Sequence, residues 1–240
     1  MSGHVVVCLP TFQEADNVER MLAALAVVLD GHGEVLVVDD GSPDGTADLA
    51  EAHAERHGGV RVLRRPRKEG LGRAYVVGFR AALDLGADLV VQMDCDFSHA
   101  PRDVPRLVAA AIEGADLVLG SRWTTGGGVV GWPRRRLLMS RAGSLYARGL
   151  LGVDVRDLTG GFKCWRRAAL AALDLDRVRS GGYGFQIETT YRALSAGQRV
   201  VEVPIEFVDR ERGRSKMTAA IAFEALHTVP ALRLQEIRDR

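Results

Sequence analysis

Two aspartates one residue apart, Asp94 and Asp96, follow the apolar run Leu89–Met93 and precede Ser98 and His99. A buried strand ending this way delivers hard oxygen ligands at its carboxyl end. Paired carboxylates there suit Mg²⁺ or Mn²⁺, which take one or two protein carboxylates and fill their shells with substrate phosphates. The same spelling also makes an ordinary Asp-rich turn, and the local sequence leaves both readings open. Two further clusters have the same placement. Pro10-Thr11-Phe12-Gln13-Glu14 follows Val5–Leu9, and Asp39-Asp40-Gly41-Ser42 follows Val35–Val38. In a parallel sheet all three would share one edge, where α/β folds bind their ligands. The first strand lacks a following Gly-x-Gly-x-x-Gly, and no strand is followed by Gly-Lys-Ser/Thr, which removes most support for dinucleotide and P-loop chemistry. A carboxylate-rich pocket without a glycine cradle needs a cation to hold a diphosphate.

A basic set opposes this acidic edge. Gly120-Ser121-Arg122 follows the apolar Leu117–Leu119, and Arg134, Arg135, Arg136, Ser140 and Arg141 come next. Further on, Arg210, Arg212, Arg214 and Lys216 fall within seven residues. Most such charges belong on a solvated face. Arg122 is the exception, because it stands at a strand end in the row of pocket positions. A fork-shaped guanidinium beside a metal–diphosphate site implies a second anionic group. Arg136 and Ser140 are one helical turn apart and so share a face.

The elements that must position these residues alternate. Short apolar runs at Val5–Leu9, Val35–Val38, Val60–Leu63, Leu89–Met93 and Leu117–Leu119 read as buried strands. Between them lie helical segments: one capped by Asp16 or Asn17, one by Asp44, one over Gly70–Leu83 and one from Pro101 to Glu113. This order predicts βαβ units, hence an α/β fold with a Rossmann-like, mostly parallel sheet flanked by helices in a single domain. Beyond it, Thr124–Gly131 predicts a mobile loop, Leu137–Leu151 a helix, and Val200–Val208 short strands. The chain has 240 residues, enough for a full core, and a formal net charge of +1, so no global field favours nucleic acid. Cys8, Cys95 and Cys164 form no Cys-x-x-Cys pair, which disfavours a disulfide framework or a zinc site.

Taken together, the motifs resemble a family. Residues 6–17, Val37–Thr46, Gly70-Leu71-Gly72, the Asp94/Asp96 pair, Gly120-Ser121-Arg122, Asp157–Phe162 and Gly184–Glu188 stand in the order found in family 2 glycosyltransferases of the GT-A fold. The likeness is to their dolichol- and polyprenol-phosphate mannose synthase branch and runs from about residue 4 to 217. It implies a catalytic domain over 1–216 and a helical tail over 217–240. It implies transfer of mannose from GDP-mannose to polyprenyl or dolichyl phosphate with inversion, assisted by Mg²⁺ or Mn²⁺. Pro10, Phe12, Glu14, Asp39 and Asp94 would line the donor nucleotide. Asp94 and Asp96 would carry the metal, with Ser98 standing where some members supply a glutamine ligand. Arg122, Arg136, Ser140, Arg210 and Lys216 would hold phosphates, and Asp96, Arg122, Arg210 and Lys216 would carry catalysis. Phe12 replaces a tyrosine and Gln13 an asparagine common among relatives. His99 reads as a turn residue rather than a ligand. The alternatives are UDP-glucose as donor to the same lipid and, from another class, a non-catalytic nucleotide- or phosphate-binding module.

A lipid acceptor raises the question of the membrane. No run of about 18 apolar residues is present, and Met-Ser-Gly-His leads straight into a strand. The expectation is a cytoplasmic protein without a transmembrane helix, peripheral on the cytoplasmic face of the membrane and docked directly or through a membrane-embedded partner subunit. Trp123, Trp132 and Pro133–Leu138 combine aromatics, cations and leucines, a mix suited to the headgroup level. Met217–Val229, ended by Pro230, either packs on the domain or lies in the interface.

Overall fold

The structure, a computed structural model, describes residues 3–178, 180, 182–209 and 229–234. Strands β1 (Val5–Thr11), β2 (Gly33–Asp39), β3 (Val60–Arg64), β4 (Leu89–Gln92) and β5 (Leu117–Ser121) alternate with helices α1 (Val18–Leu29), α2 (Thr46–His57), α3 (Leu71–Asp84) and α4 (Val104–Ile112). The second half adds β6 (Gly128–Val130), α5 (Arg134–Leu151), β7 (Lys163–Arg166), α6 (Arg167–Ala172), α7 (Gly182–Ser195), β8 (Val200–Pro204) and β9 (Glu206–Val208). The main sheet runs β3-β2-β1-β4-β7-β5-β8. Every pairing in it is parallel except those of β7, which is antiparallel to both β4 and β5.

Strand alternation divides the core in two. Val5, Val7 and Leu9 of β1 pack with Met21, Leu22 and Leu25 of α1 and Leu107 of α4. Val6 and Cys8 face the other way, onto Tyr75 and Phe79 of α3, Trp165 of β7 and Phe185 of α7. Because both faces are covered, the strands read as continuous apolar runs. Gly78 on α3 lets that helix approach the sheet: a Cβ there would lie 2.3 Å from Cys8 Sγ.

Four features differ from the sequence expectation. β7 was not foreseen; its Lys-Cys-Trp-Arg spelling has no simple alternation, and burial on both faces fixes it as a strand. Part of the stretch 124–131 is ordered as β6, paired in parallel with β9. The Gly127 backbone fits against Ser121 there, where a Cβ would lie 2.5 Å from the Ser121 carbonyl oxygen. Helix α5 starts three residues before Leu137, at Arg134 after Pro133, whose fixed φ suits a helix entry. Finally, residues 229–234 are helical across Pro230, with Val229 and Leu232 packed into the α7 side of the core. The junction at 216/217 and the segment Met217–Thr228 lie outside the described residues, as do Arg210, Arg212, Arg214 and Lys216.

Candidate functional site

The carboxyl ends of β1, β2 and β4 border a cavity of about 480 Å³. Pro10, Phe12, Glu14, Asp40, Asp94, Asp96 and Ser98 line it, together with Arg122, Trp132, Arg136, Thr159, Gln186 and Phe207 from the second half of the chain. The predicted acidic edge and the two leading arginines thus share one space.

Each carboxylate at the strand ends is held differently. Asp96 is buried, and its Oδ1 accepts from the Ser98 N–H at 3.0 Å and the Ser98 hydroxyl at 2.5 Å. The turn that allows this puts Phe97 at φ 61°, a left-handed conformation unusual for a bulky side chain. The Asp94 N–H donates to His99 Nδ1 at 3.2 Å, which requires an imidazole unprotonated at that nitrogen. The His99 ring is buried and stacked on Phe162 at 5.0 Å. Burial pulls its pKa down to about 4. His99 is therefore a neutral brace for the Asp94 loop, in line with its reading as a turn residue.

Asp39 and Asp40 part company. Asp39 is buried and accepts from Thr11 Oγ1 at 2.9 Å, Ser42 N–H at 2.8 Å and Ser42 Oγ at 2.6 Å, so it ties β1 to the turn after β2. The cavity wall is formed instead by Asp40, paired with Arg65. Burial raises the Asp40 carboxyl above its ordinary pKa, and Arg65 pulls against that rise. Lys68, also on the wall, sits 4.3 Å over the Phe12 ring. Glu14 Oε2 accepts from Asn17 Nδ2 at 2.9 Å.

On the opposite wall, the Arg122 guanidinium is buried and grips Asp157 with two bonds of 2.7 and 2.6 Å. Its backbone N–H also donates to Asp157 at 3.0 Å, and Nη2 reaches Thr159 Oγ1 at 2.9 Å. Trp123, Trp132 and Phe207 surround it at 5.3–5.6 Å from their ring centres. Arg136 stacks on Trp132 at 3.9 Å and pairs with Asp209 at 2.8 Å. Ser140, one turn along α5, is half-buried and does not line the cavity.

The donor set fits Mg²⁺ or Mn²⁺. Asp94 and Asp96 offer carboxylate oxygens at one cavity wall, and among the described residues no group of three His, Cys, Asp or Glu forms a complete all-protein cage. Two carboxylates with phosphates supplying further ligands is the Mg²⁺ pattern. The Ser98 hydroxyl is turned into Asp96.

Two residues at this wall had no role assigned from sequence: Gln186, which lines the cavity, and Asp157, buried behind Arg122. Both stood in quoted motifs, and their partners, Gln92 and Arg122, become neighbours only in the fold. Gln186 Oε1 accepts from Gln92 Nε2 at 2.7 Å, and a Cβ on Gly161 would lie 3.4 Å from Gln186 Nε2 and 3.8 Å from Asp94 Oδ2. Behind them, the buried Lys163 Nζ donates to the Gln186 carbonyl and to the Thr189 and Thr190 hydroxyls at 2.9–3.0 Å. It bolts α7 to the sheet.

Residues 6–174 match the family model for glycosyl transferase family 2. The chain belongs to that family. It is 47% identical to an undecaprenyl-phosphate mannosyltransferase of Micrococcus luteus, over 94% of this chain and 92% of that protein. It is 43% identical to a polyprenol monophosphomannose synthase of Mycolicibacterium smegmatis, over 98% of this chain and 89% of that one. Among solved structures, the glucosyl-3-phosphoglycerate synthase of Mycobacterium tuberculosis with Mn²⁺, UDP-glucose and phosphoglyceric acid superposes at TM-score 0.71. It is 23% identical and covers 97% of this chain and 80% of that one, a likeness of fold. The family 2 glycosyltransferase described here thus has the GT-A-like arrangement anticipated from its motifs: a mostly parallel sheet, flanked by helices, with the acidic pair at its carboxyl edge.

Proposed function

We propose that this glycosyltransferase moves mannose from GDP-mannose to a polyprenyl phosphate, with inversion, to give polyprenyl-phosphate mannose. The observation that carries the reading is that one cavity is lined by Asp94 and Asp96 together with Arg122 and Arg136. Two anions must meet there, a sugar-linked diphosphate and an acceptor phosphate. The relatives of similar length named for undecaprenyl-phosphate mannosyl transfer and polyprenol monophosphomannose synthesis support the same donor sugar and acceptor.

In this scheme Pro10, Phe12, Glu14 and the Asp39–Asp40 turn hold the nucleoside, Phe12 offering a stacking face backed by Lys68. Asp94 and Asp96 would hold Mg²⁺ or Mn²⁺, whose charge would offset that developing on the leaving diphosphate. Arg122 and Arg136 position the acceptor phosphate, joined by Arg210 and Lys216 from outside the described residues. A phosphate monoester is largely ionised near neutral pH, its second pKa being about 6. One of its oxygens attacks the anomeric carbon, the new C–O bond forms as the bond to the diphosphate breaks, and GDP departs from the opposite face. No protein base has to take a proton. Catalysis rests on positioning and charge neutralisation. The lipid resides in a bilayer, so the enzyme works at the cytoplasmic membrane face, directly or through a membrane-embedded partner. No described helix is long and apolar enough to cross a membrane.

The test is incubation with Mn²⁺ or Mg²⁺, polyprenyl phosphate, and labelled GDP-mannose or UDP-glucose. Label should enter the lipid from GDP-mannose. Transfer from UDP-glucose alone overturns the donor, and transfer from neither overturns the reaction.

A further inference from the structure

The sheet carries two polar side chains under α7, where apolar ones would pack. Gln92 on β4 and Lys163 on β7 stand opposite each other in antiparallel register, and both are almost completely buried. Burying an amide and an amine is costly unless each finds a partner. Both find one on the same residue of α7. Gln92 Nε2 donates to Gln186 Oε1 at 2.7 Å, and Lys163 Nζ donates to the Gln186 main-chain carbonyl at 2.9 Å. Gln186 is itself buried and lines the cavity. Its backbone and its side-chain carbonyl are thus fixed from the sheet, and its Nε2 lies toward Gly161.

Gly161 marks the space in front of that amide. A Cβ there would lie 3.4 Å from Gln186 Nε2, 3.7 Å from His99 Cε1 and 3.8 Å from Asp94 Oδ2, and all four residues border the cavity. One methyl-sized point beside the acidic pair therefore has an amide donor and a carboxylate acceptor within 4 Å.

The chemistry of this spot selects its occupant. A phosphate oxygen is anionic and only accepts, so it belongs with the cavity's arginines rather than against the Asp94 carboxylate. A nucleobase needs a stacking face, which the cavity offers at Phe12. A sugar hydroxyl both donates and accepts, so it can take the Gln186 N–H and give its own proton to a carboxylate.

We propose that Gln186 is a specificity-determining residue that hydrogen-bonds a hydroxyl of the donor hexose, with Gly161 leaving the room in which that hydroxyl sits. The assignment deepens the reading of the cavity as a sugar-nucleotide site and rests on it. Gln92 and Lys163 act through Gln186 and are positioning residues. A site built this way discriminates well, because a sugar that lacks the hydroxyl leaves buried polar groups unpaired.

The test is calorimetric binding to the full chain, with Mn²⁺ and without acceptor, of GDP and GDP-mannose and, in parallel, of UDP and UDP-glucose. The difference between a sugar conjugate and its bare diphosphate isolates the hexose. Gln186→Met should weaken GDP-mannose binding about tenfold, the scale of one hydrogen bond, and leave GDP binding unchanged. Gly161→Ala should also weaken GDP-mannose selectively, by filling the space. Its added Cβ meets only ordinary contacts, so the empty protein folds as before. Retained GDP binding shows that a variant is folded, and if Gln186→Met loses all binding, Gly161→Ala decides alone. Equal losses for GDP and GDP-mannose in Gly161→Ala, or no loss for either ligand in either variant, overturn the proposal. A wild type that binds only the UDP pair, with UDP-glucose selectively weakened in the variants, sinks GDP-mannose as donor and leaves the sugar contact standing. Binding of neither pair by wild type overturns both.

Discussion

The two walls of the cavity solve opposite problems. On the acidic wall, Asp94 and Asp96 stand just beyond the end of a central strand, and short backbone contacts within residues 94–99 set their geometry. On the basic wall, Arg122 is buried and is held by Asp157, 35 residues away, and by rings from three segments. The first wall is local in sequence and the second is assembled. A carboxylate destined for a metal can be presented by a loop. A buried guanidinium needs a counter-charge and an aromatic setting, because an isolated charge away from water is strongly disfavoured.

This contrast can be broken at either wall. Asp96→Ala should lower turnover by about a thousandfold or more, the scale of transition-state charge stabilisation lost with a metal ligand. Its denaturant midpoint should stay close to wild type, since the contacts described for Asp96 are those to Ser98 in the same loop. A variant that retains wild-type activity would remove the metal role from this residue. Arg122→Met should do the reverse in part. Leaving buried Asp157 unpaired costs about 3–5 kcal/mol, so stability falls together with activity. Asp157→Asn/Arg122→Met should recover stability but not turnover. If Arg122→Met is as stable as wild type, the pair is not the scaffold of that wall.

The smallest effect lies behind the cavity. Burial lowers the Lys163 ammonium to about 7, against an ordinary 10.5. The unfolded chain then holds a proton that the native state has released between those values. Stability should therefore rise with pH from about 7 to 10.5, with the full cost of burying the charge felt below 7. The gap between wild type and Lys163→Met in urea midpoint should move in wild type's favour across that window. Parallel curves would mean that Gln186, Thr189 and Thr190 retain the proton on Lys163.

How much could be read in advance follows from the same distinction. The strand runs, the Asp94/Asp96 pair and Arg122 were legible because apolar periodicity and strand-end placement are local properties. Asp40 on the cavity wall in place of the buried Asp39 was not, because adjacent residues on a strand end point to opposite sides and only the packing of β2 chooses between them. Strand β7 was missed because burial on both faces erases alternation, and its antiparallel seat between β4 and β5 is a matter of topology. The pairing of β6 with β9 joins segments nearly 80 residues apart, which no turn signal announces.

By itself the sequence determined the alternating elements, the acidic edge at their carboxyl ends and the presence of opposing arginines, since each depends on residue type and short spacing. The tertiary structure decided which of those charges face one another and which are consumed in holding the wall. Those outcomes depend on burial, and burial is set by what the rest of the chain packs against.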